Sequence, residues 1–318
     1  MSGSLTLGAS AVTVGGLYQH SQTKVSVGSR LTVSNGSYFV VYAGSTNAQY
    51  EHGAIVEVSG DTVVWDESWV VPHSQPTNGG SAVFRLADLT VGPTNTAGFE
   101  AKTKGFERLY GHGVGQHAGG RGTGGGYGGK GGDIGGNPGG IVYGWTNAPI
   151  HCGSGGGYNN TSYDAGWGGG LIRIEAADVV MDGMINVDGE NTGGRPAPGS
   201  GGGIFIVCES FSGNENGVLS ANGGIDDDAG YGSSGGGGGR IAVWYGVSSD
   251  QKETLLTDPD NAASLYASVE ISDTYDGFST NVFVRGGTAA DPDSDDGDPG
   301  TAIFLTVPPP RGTILIIR

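Results

Sequence analysis

The clearest chemical signal in this chain is carried by carboxylates. Asp291, Asp293, Asp295, Asp296 and Asp298 alternate around Ser294 and Gly297, close to the D-x-D-x-D-G opening of a calcium loop, whose oxygen ligands suit that hard cation. An Asp stands where the loop's Gly belongs and no Glu closes it, so the expected ligands are limited to Asp291, Asp293, Asp295 and Asp298. Asp226, Asp227 and Asp228 form a second acidic corner. Both corners follow a Gly-Gly strand end, which is expected to bring them near each other. The alternative is a pair of solvated acidic loops that hold neighbouring molecules apart.

Other groups carry weaker signals. Of the six histidines, His112 and His117 flank a short turn and His151 adjoins Cys152, yet His20, His52 and His73 lie far off and no four-ligand metal spacing results. Cys152 and Cys208 either pair across neighbouring coils in an oxidising compartment or stand as two buried thiols. The run from Gly124 to Lys130 meets the first seven positions of a phosphate-binding loop, but Gly131 replaces its hydroxyl ligand. The run from Gly232 to Gly236 fits G-x-S-x-G without a helix after it. In so Gly-rich a tract both are chance matches. Arg173 and Arg240 take odd places after Gly triplets and so share a strand face, where outward charge that keeps a sheet soluble is expected.

The elements that must position these groups are set by composition. Glycine supplies 66 of 318 residues, and an interior Gly costs a helix about 1 kcal/mol relative to Ala, so a mainly helical protein is excluded. Asp and Glu number 32 against 15 Lys plus Arg, a net charge of −17. That charge, with no basic stripe, excludes a nucleic-acid partner. No apolar run is long enough to span a bilayer, so no membrane insertion is expected. The first residues, Met1 to Gly8, have neither a basic region nor an apolar stretch, and an extracellular location therefore implies a signal sequence outside this chain.

Three regions follow one another. Residues 1–100 form a strand-rich β region, with bursts such as Tyr38 to Tyr42, Ala54 to Val58 and Ala82 to Leu86 separated by turn formers. Residues 101–170 are a glycine-rich segment. From Gly125 to Asp133 its side chains recur every third residue, which matches a polyproline-II helix whose amides must bond to neighbours. Residues 171–318 repeat two phrases. Gly168 to Ile174, Gly201 to Val207 and Gly237 to Val243 are one; Met184 to Gly189, Val218 to Gly224 and Val282 to Gly287 are the other. Two strand types returning in order signal coils stacked along an axis.

Phe84 to Gly92, Gly105 with Phe106, the glycine tract, Gly153 to Gly157 and the alternating phrases together resemble a Gly-rich repeat region of very large secreted or surface proteins of environmental bacteria. Those regions are similar to right-handed parallel β-helices of the pectin-lyase-like kind. The resemblance covers roughly Ser81 to Ala302 and brings no catalytic residue with it. It implies an all-β fold, a right-handed parallel β-helix or solenoid with a glycine-rich, polyproline-II-like packed segment.

The function expected on this basis is a non-enzymatic extracellular structural or adhesive module. Its runners-up are a polysaccharide lyase or hydrolase, which would need paired carboxylates or calcium with a basic residue, and a sugar-binding module using Trp65, Trp69, Trp145, Trp167 or Trp244 as platforms. The partners expected are a surface polysaccharide and further copies of the chain. Thr313, Ile314, Leu315, Ile316 and Ile317 form a strand-forming run after Pro308 to Pro310, expected to complete a sheet edge of the next subunit and build a filament head to tail.

Overall fold

A computed structural model describes residues 3–157, 165–228, 232–257, 269–277 and 281–308. The run from Thr313 to Ile317 lies outside the described residues. In chain order the strands are β1 (Leu5–Gly8), β2 (Ala11–Val14), β3 (Thr23–Val27), β4 (Leu31–Ser34), β5 (Tyr38–Tyr42), β6 (Ala54–Val64), β7 (Trp69–His73), β8 (Ala82–Val91), β9 (Gly98–Glu100), β10 (His117–Ala118) and β11 (Arg121–Gly122). They continue as β12 (Leu171–Glu175), β13 (Asp178–Met181), β14 (Met184–Asn186), β15 (Gly203–Val207), β16 (Ser210–Ser212), β17 (Val218–Ser220), β18 (Arg240–Tyr245), β19 (Glu270–Ser272), β20 (Val282–Phe283) and β21 (Thr301–Thr306), with one helix, α1 (Ser249–Thr257), before β19.

The chain passes back and forth between two sheets. One has twelve strands, ordered β1-β4-β6-β8-β12-β15-β18-β21-β19 with β3, β13 and β16 beside that path; the other has seven, ordered β2-β5-β7-β9-β14-β17-β20. Equivalent residues stack in register. Val56, Phe84, Ile174, Ile206, Val243 and Phe304 make one row on the large sheet. Phe39, Val70, Phe99, Ile185, Leu219 and Val282 make the facing row on the small one. Phe84 meets Phe99 edge to face at 5.3 Å, and a single core runs between the sheets from Leu7 to Phe304. Strands β12, β15 and β18 are buried on both faces, as parallel strands rich in Ile and Val require.

The expected right-handed parallel β-helix is corrected by this topology. The strands form two separate open sheets, and antiparallel pairing of β19 with β21 makes the larger one mixed. The reason lies in the connections. A uniform solenoid needs rungs of similar length, whereas everything from Glu100 to Leu171 intervenes between β9 and β12, and α1 with β19 breaks the path from β18 to β21. The glycine tract of the first insertion and the glycine-rich loops that lead into β15, β18 and β21 form a layer of their own.

That layer is a lattice of backbone. The segment around Gly235 to Gly238 exchanges amide bonds with five other stretches: Gly132 N–H donates to Gly235 O at 2.8 Å, Gly237 N–H to Gly125 O at 2.8 Å, Gly201 N–H to Gly237 O at 2.9 Å, Gly287 N–H to Gly236 O at 2.7 Å, Gly236 N–H to Gly224 O at 3.0 Å and Gly238 N–H to Asp298 O at 2.9 Å. A Cβ at Gly124 would strike the Gly235 carbonyl, and one at Gly287 the Gly224 carbonyl. Only residues without side chains let the backbones approach this closely. Buried serines supply the exceptions: Ser234 Oγ accepts from Gly124 N–H at 2.9 Å, and Ser200 Oγ from Ser154 N–H at 2.9 Å.

Candidate functional site

On the outer face of the large sheet, the row Glu57, Arg85, Glu175 turns from charged to apolar at Val207, Trp244 and Leu305. Arg173 stands beside it on β12, because alternation sends Ile172 and Ile174 into the core and Arg173 and Glu175 away from it. These charges are not outward, as the sequence pattern led us to expect. Arg173 and Arg240 are 7% and 4% exposed. Arg173 Nη2 lies 2.9 Å from Glu175 Oε1, and Arg85 Nε lies 3.1 Å from Glu175 Oε2. The Arg173 guanidinium also stacks 5.7 Å above the Phe205 ring.

The cover over this face is the chain between Tyr143 and Cys152. Trp244 Nε1 donates to Asn147 O at 2.8 Å, and Arg240 donates to Tyr143 O at 3.1 Å and Thr146 Oγ1 at 2.9 Å. Ala148 packs among Phe205, Val207 and Trp244, with Ile150 against that cluster. Gly203 opens β15 because a Cβ there would lie 2.7 Å from His151 O, so the strap sits directly on the sheet.

Where the strap meets the lattice it leaves a cavity of about 320 Å³, within the usual range for small-ligand sites. One wall is aromatic. The rings of Phe106 and His112 are 5.9 Å apart and those of His112 and His151 5.3 Å. Gly79, with φ +82°, admits Phe106, whose ring a Cβ there would hit. The other wall is polar: Thr46, Glu51, His52, Asn78, Ser81 and Arg173. Asn78 Oδ1 accepts from Thr46 N–H at 2.6 Å, which fixes the amide at the rim.

Two of the histidines here, His52 and His151, favour the neutral form. Burial, and then the Arg173 charge, pull His52 below the usual imidazole range; burial and then His112 do the same for His151. Cys152, at the cavity's edge, is pushed up to about 12 by burial and is inert as a nucleophile. The wall can therefore donate hydrogen bonds, accept them at Glu51 and present ring faces, which is the chemistry of holding a small polar molecule.

Of the groups singled out from sequence, few meet as expected. Cys152 and Cys208 are both free and buried in different clusters, so the pairing is corrected to two separate thiols. The two acidic corners do approach: a Cβ on Gly232 would lie 2.7 Å from both Asp226 Oδ2 and Asp291 Cβ. Asp291, however, pairs with Arg121 at 3.0 Å and accepts the Asp293 N–H at 2.8 Å. Among the described residues no group of three or more His, Cys, Asp or Glu side chains is placed to hold a metal. Trp244 is buried, whereas Trp65 and Trp145 are exposed. His112 finds His151 rather than His117, which lies on the β10–β11 hairpin. His52, Asn78 and Phe106 were not anticipated; no local spacing ties residues that far apart.

No protein-family model, curated protein or solved structure matches this chain.

Proposed function

We propose that the chain is a non-enzymatic structural and adhesive module of an extracellular surface, which holds polysaccharide at the cavity above β12. The observation that carries this reading is the glycine lattice. Backbone amides bonded sideways to several neighbours stiffen the body beside its apolar core, which suits a load-bearing part exposed to water. A net charge of −17 keeps such a body hydrated and apart from non-specific partners. The cavity, with ring faces on one side and hydrogen-bonding groups on the other, adds the recognition element, since sugars present the same two kinds of surface. Self-association through sheet edges belongs to the same proposal: β1 and β2 end the two sheets on one side and β20 ends the small sheet on the other.

The test is retention on immobilised acidic and neutral polysaccharides, with the eluted polymer assayed for new reducing or unsaturated ends. Retention with intact polymer is expected. Reproducible release of new ends overturns the non-enzymatic reading in favour of a lyase or hydrolase, and a folded protein retained by none of the polymers overturns the adhesive one.

A further inference from the structure

Resting on that adhesive reading, we propose that the cavity takes an anionic sugar unit, a uronate, with its carboxylate on Arg173 and its ring against Phe106 and His112.

The donors of Arg173 give the reason. Glu175, a buried carboxylate beside the cavity, is shared by two guanidiniums, with Oε1 on Arg173 and Oε2 on Arg85. Arg85 is also paired with the exposed Glu57 at 3.7 Å, so these four side chains balance in charge, and the cation that reaches the cavity wall is Arg173. The Arg173 side chain is 9% exposed and spends Nε and Nη2 on the same Glu175 oxygen, leaving Nη1 without a partner among the described residues. An arginine with a free donor in a partly dry site favours a carboxylate, which returns both charge and geometry.

The remaining walls say what carries the carboxylate. Phe106 and His112 offer ring faces suited to the C–H face of a pyranose, while Thr46 and Asn78 offer rim groups suited to hydroxyls. Glu51, whose side chain is 77% exposed, stands at the mouth. It disfavours anions there, so the carboxylate belongs at the inner end.

Saturation-transfer NMR titrations with D-glucuronate, its methyl ester, D-glucose and acetate test the proposal. Glucuronate should bind about ten-fold or more tightly than glucose or the ester, the worth of one charge-assisted contact. Arg173→Gln should abolish that preference, with Glu175 still held by Arg85. Glu51→Gln, an exposed change that does not threaten folding, should raise the ratio of glucuronate to glucose affinity about two- to five-fold. Equal binding of glucose and glucuronate, or no gain in Glu51→Gln, overturns the carboxylate assignment while polysaccharide retention keeps the adhesive reading. Acetate binding as tightly as glucuronate overturns it too, by reducing the cavity to a simple anion site.

Discussion

Replacing Gly124 by Ala isolates the glycine lattice from every other source of stability. Gly124 has no positive φ, so its backbone conformation is open to Ala. Its added Cβ would strike the Gly235 carbonyl and come within 3.1 Å of Gly236 Cα. Backbone cannot swing aside as a side chain can, so the two segments must part. Doing so strains the bonds from Gly124 N–H to Ser234 Oγ, 2.9 Å, and from Gly140 N–H to Gly124 O, 2.9 Å. Two buried groups left unsatisfied cost about 1–3 kcal/mol each, or roughly 2–6 kcal/mol together. For a chain of 318 residues the entropy of unfolding converts that to a fall in Tm of roughly 3–9 °C. Gly16→Ala is the control, because nothing lies within 4 Å of its added Cβ and its φ is not positive; it should stabilise by about 0.4–1 kcal/mol through the unfolded state. Calorimetric melts of the two variants decide the matter. If Gly124→Ala melts within about 1 °C of the parent chain, the lattice is loose and the reasoning fails.

Three further outcomes are expected. Ile206→Ala removes a wholly buried side chain from the core between the sheets and should cost about 2–5 kcal/mol in urea unfolding; a loss below about 1 kcal/mol would mean that the sheets do not close on each other there. Both thiols, pushed up to about 12 by burial, should resist a disulfide reagent at pH 8 until the protein unfolds, and fast labelling of the native protein would contradict their burial. His73, held near a pKa of about 4 chiefly by desolvation, is neutral in the fold, so its contribution is intact above pH 6.5 and lost as pH falls towards 4. After allowance for solvent screening the loss is about 1–2 kcal/mol, and His73→Gln should flatten that part of the stability profile.

How much of this was legible in the sequence differs from element to element. The repeated phrases gave their own pairing: Ile172, Ile204 and Ile241 stack in parallel register, as do Met184 with Val218, because a hydrophobic alternation of period two leaves only one alignment that buries each row. The need of the glycine tract for sideways partners was equally legible, since an extended chain without internal hydrogen bonds must find them elsewhere. The site was not legible. Its walls come from Asn78, Phe106, His151 and Arg173, which share no repeat, and Arg173 was read as exposed because a strand pattern tells that two residues share a face but not that a strap covers it.

What the sequence determined by itself was thus the material: parallel strands, no long helix, an acidic surface and a backbone bare enough to pack against itself. Tertiary structure alone decided that Gly124 meets Gly235, that the strands divide into two open sheets instead of one coil, and that Glu175 lies between Arg85 and Arg173. The physical reason is degeneracy. A run of glycines offers the same amide and carbonyl at every step, so its own residues cannot select a register. That choice falls to distant anchors such as Ser234, whose hydroxyl holds Gly124, and Trp244, whose indole holds the strap.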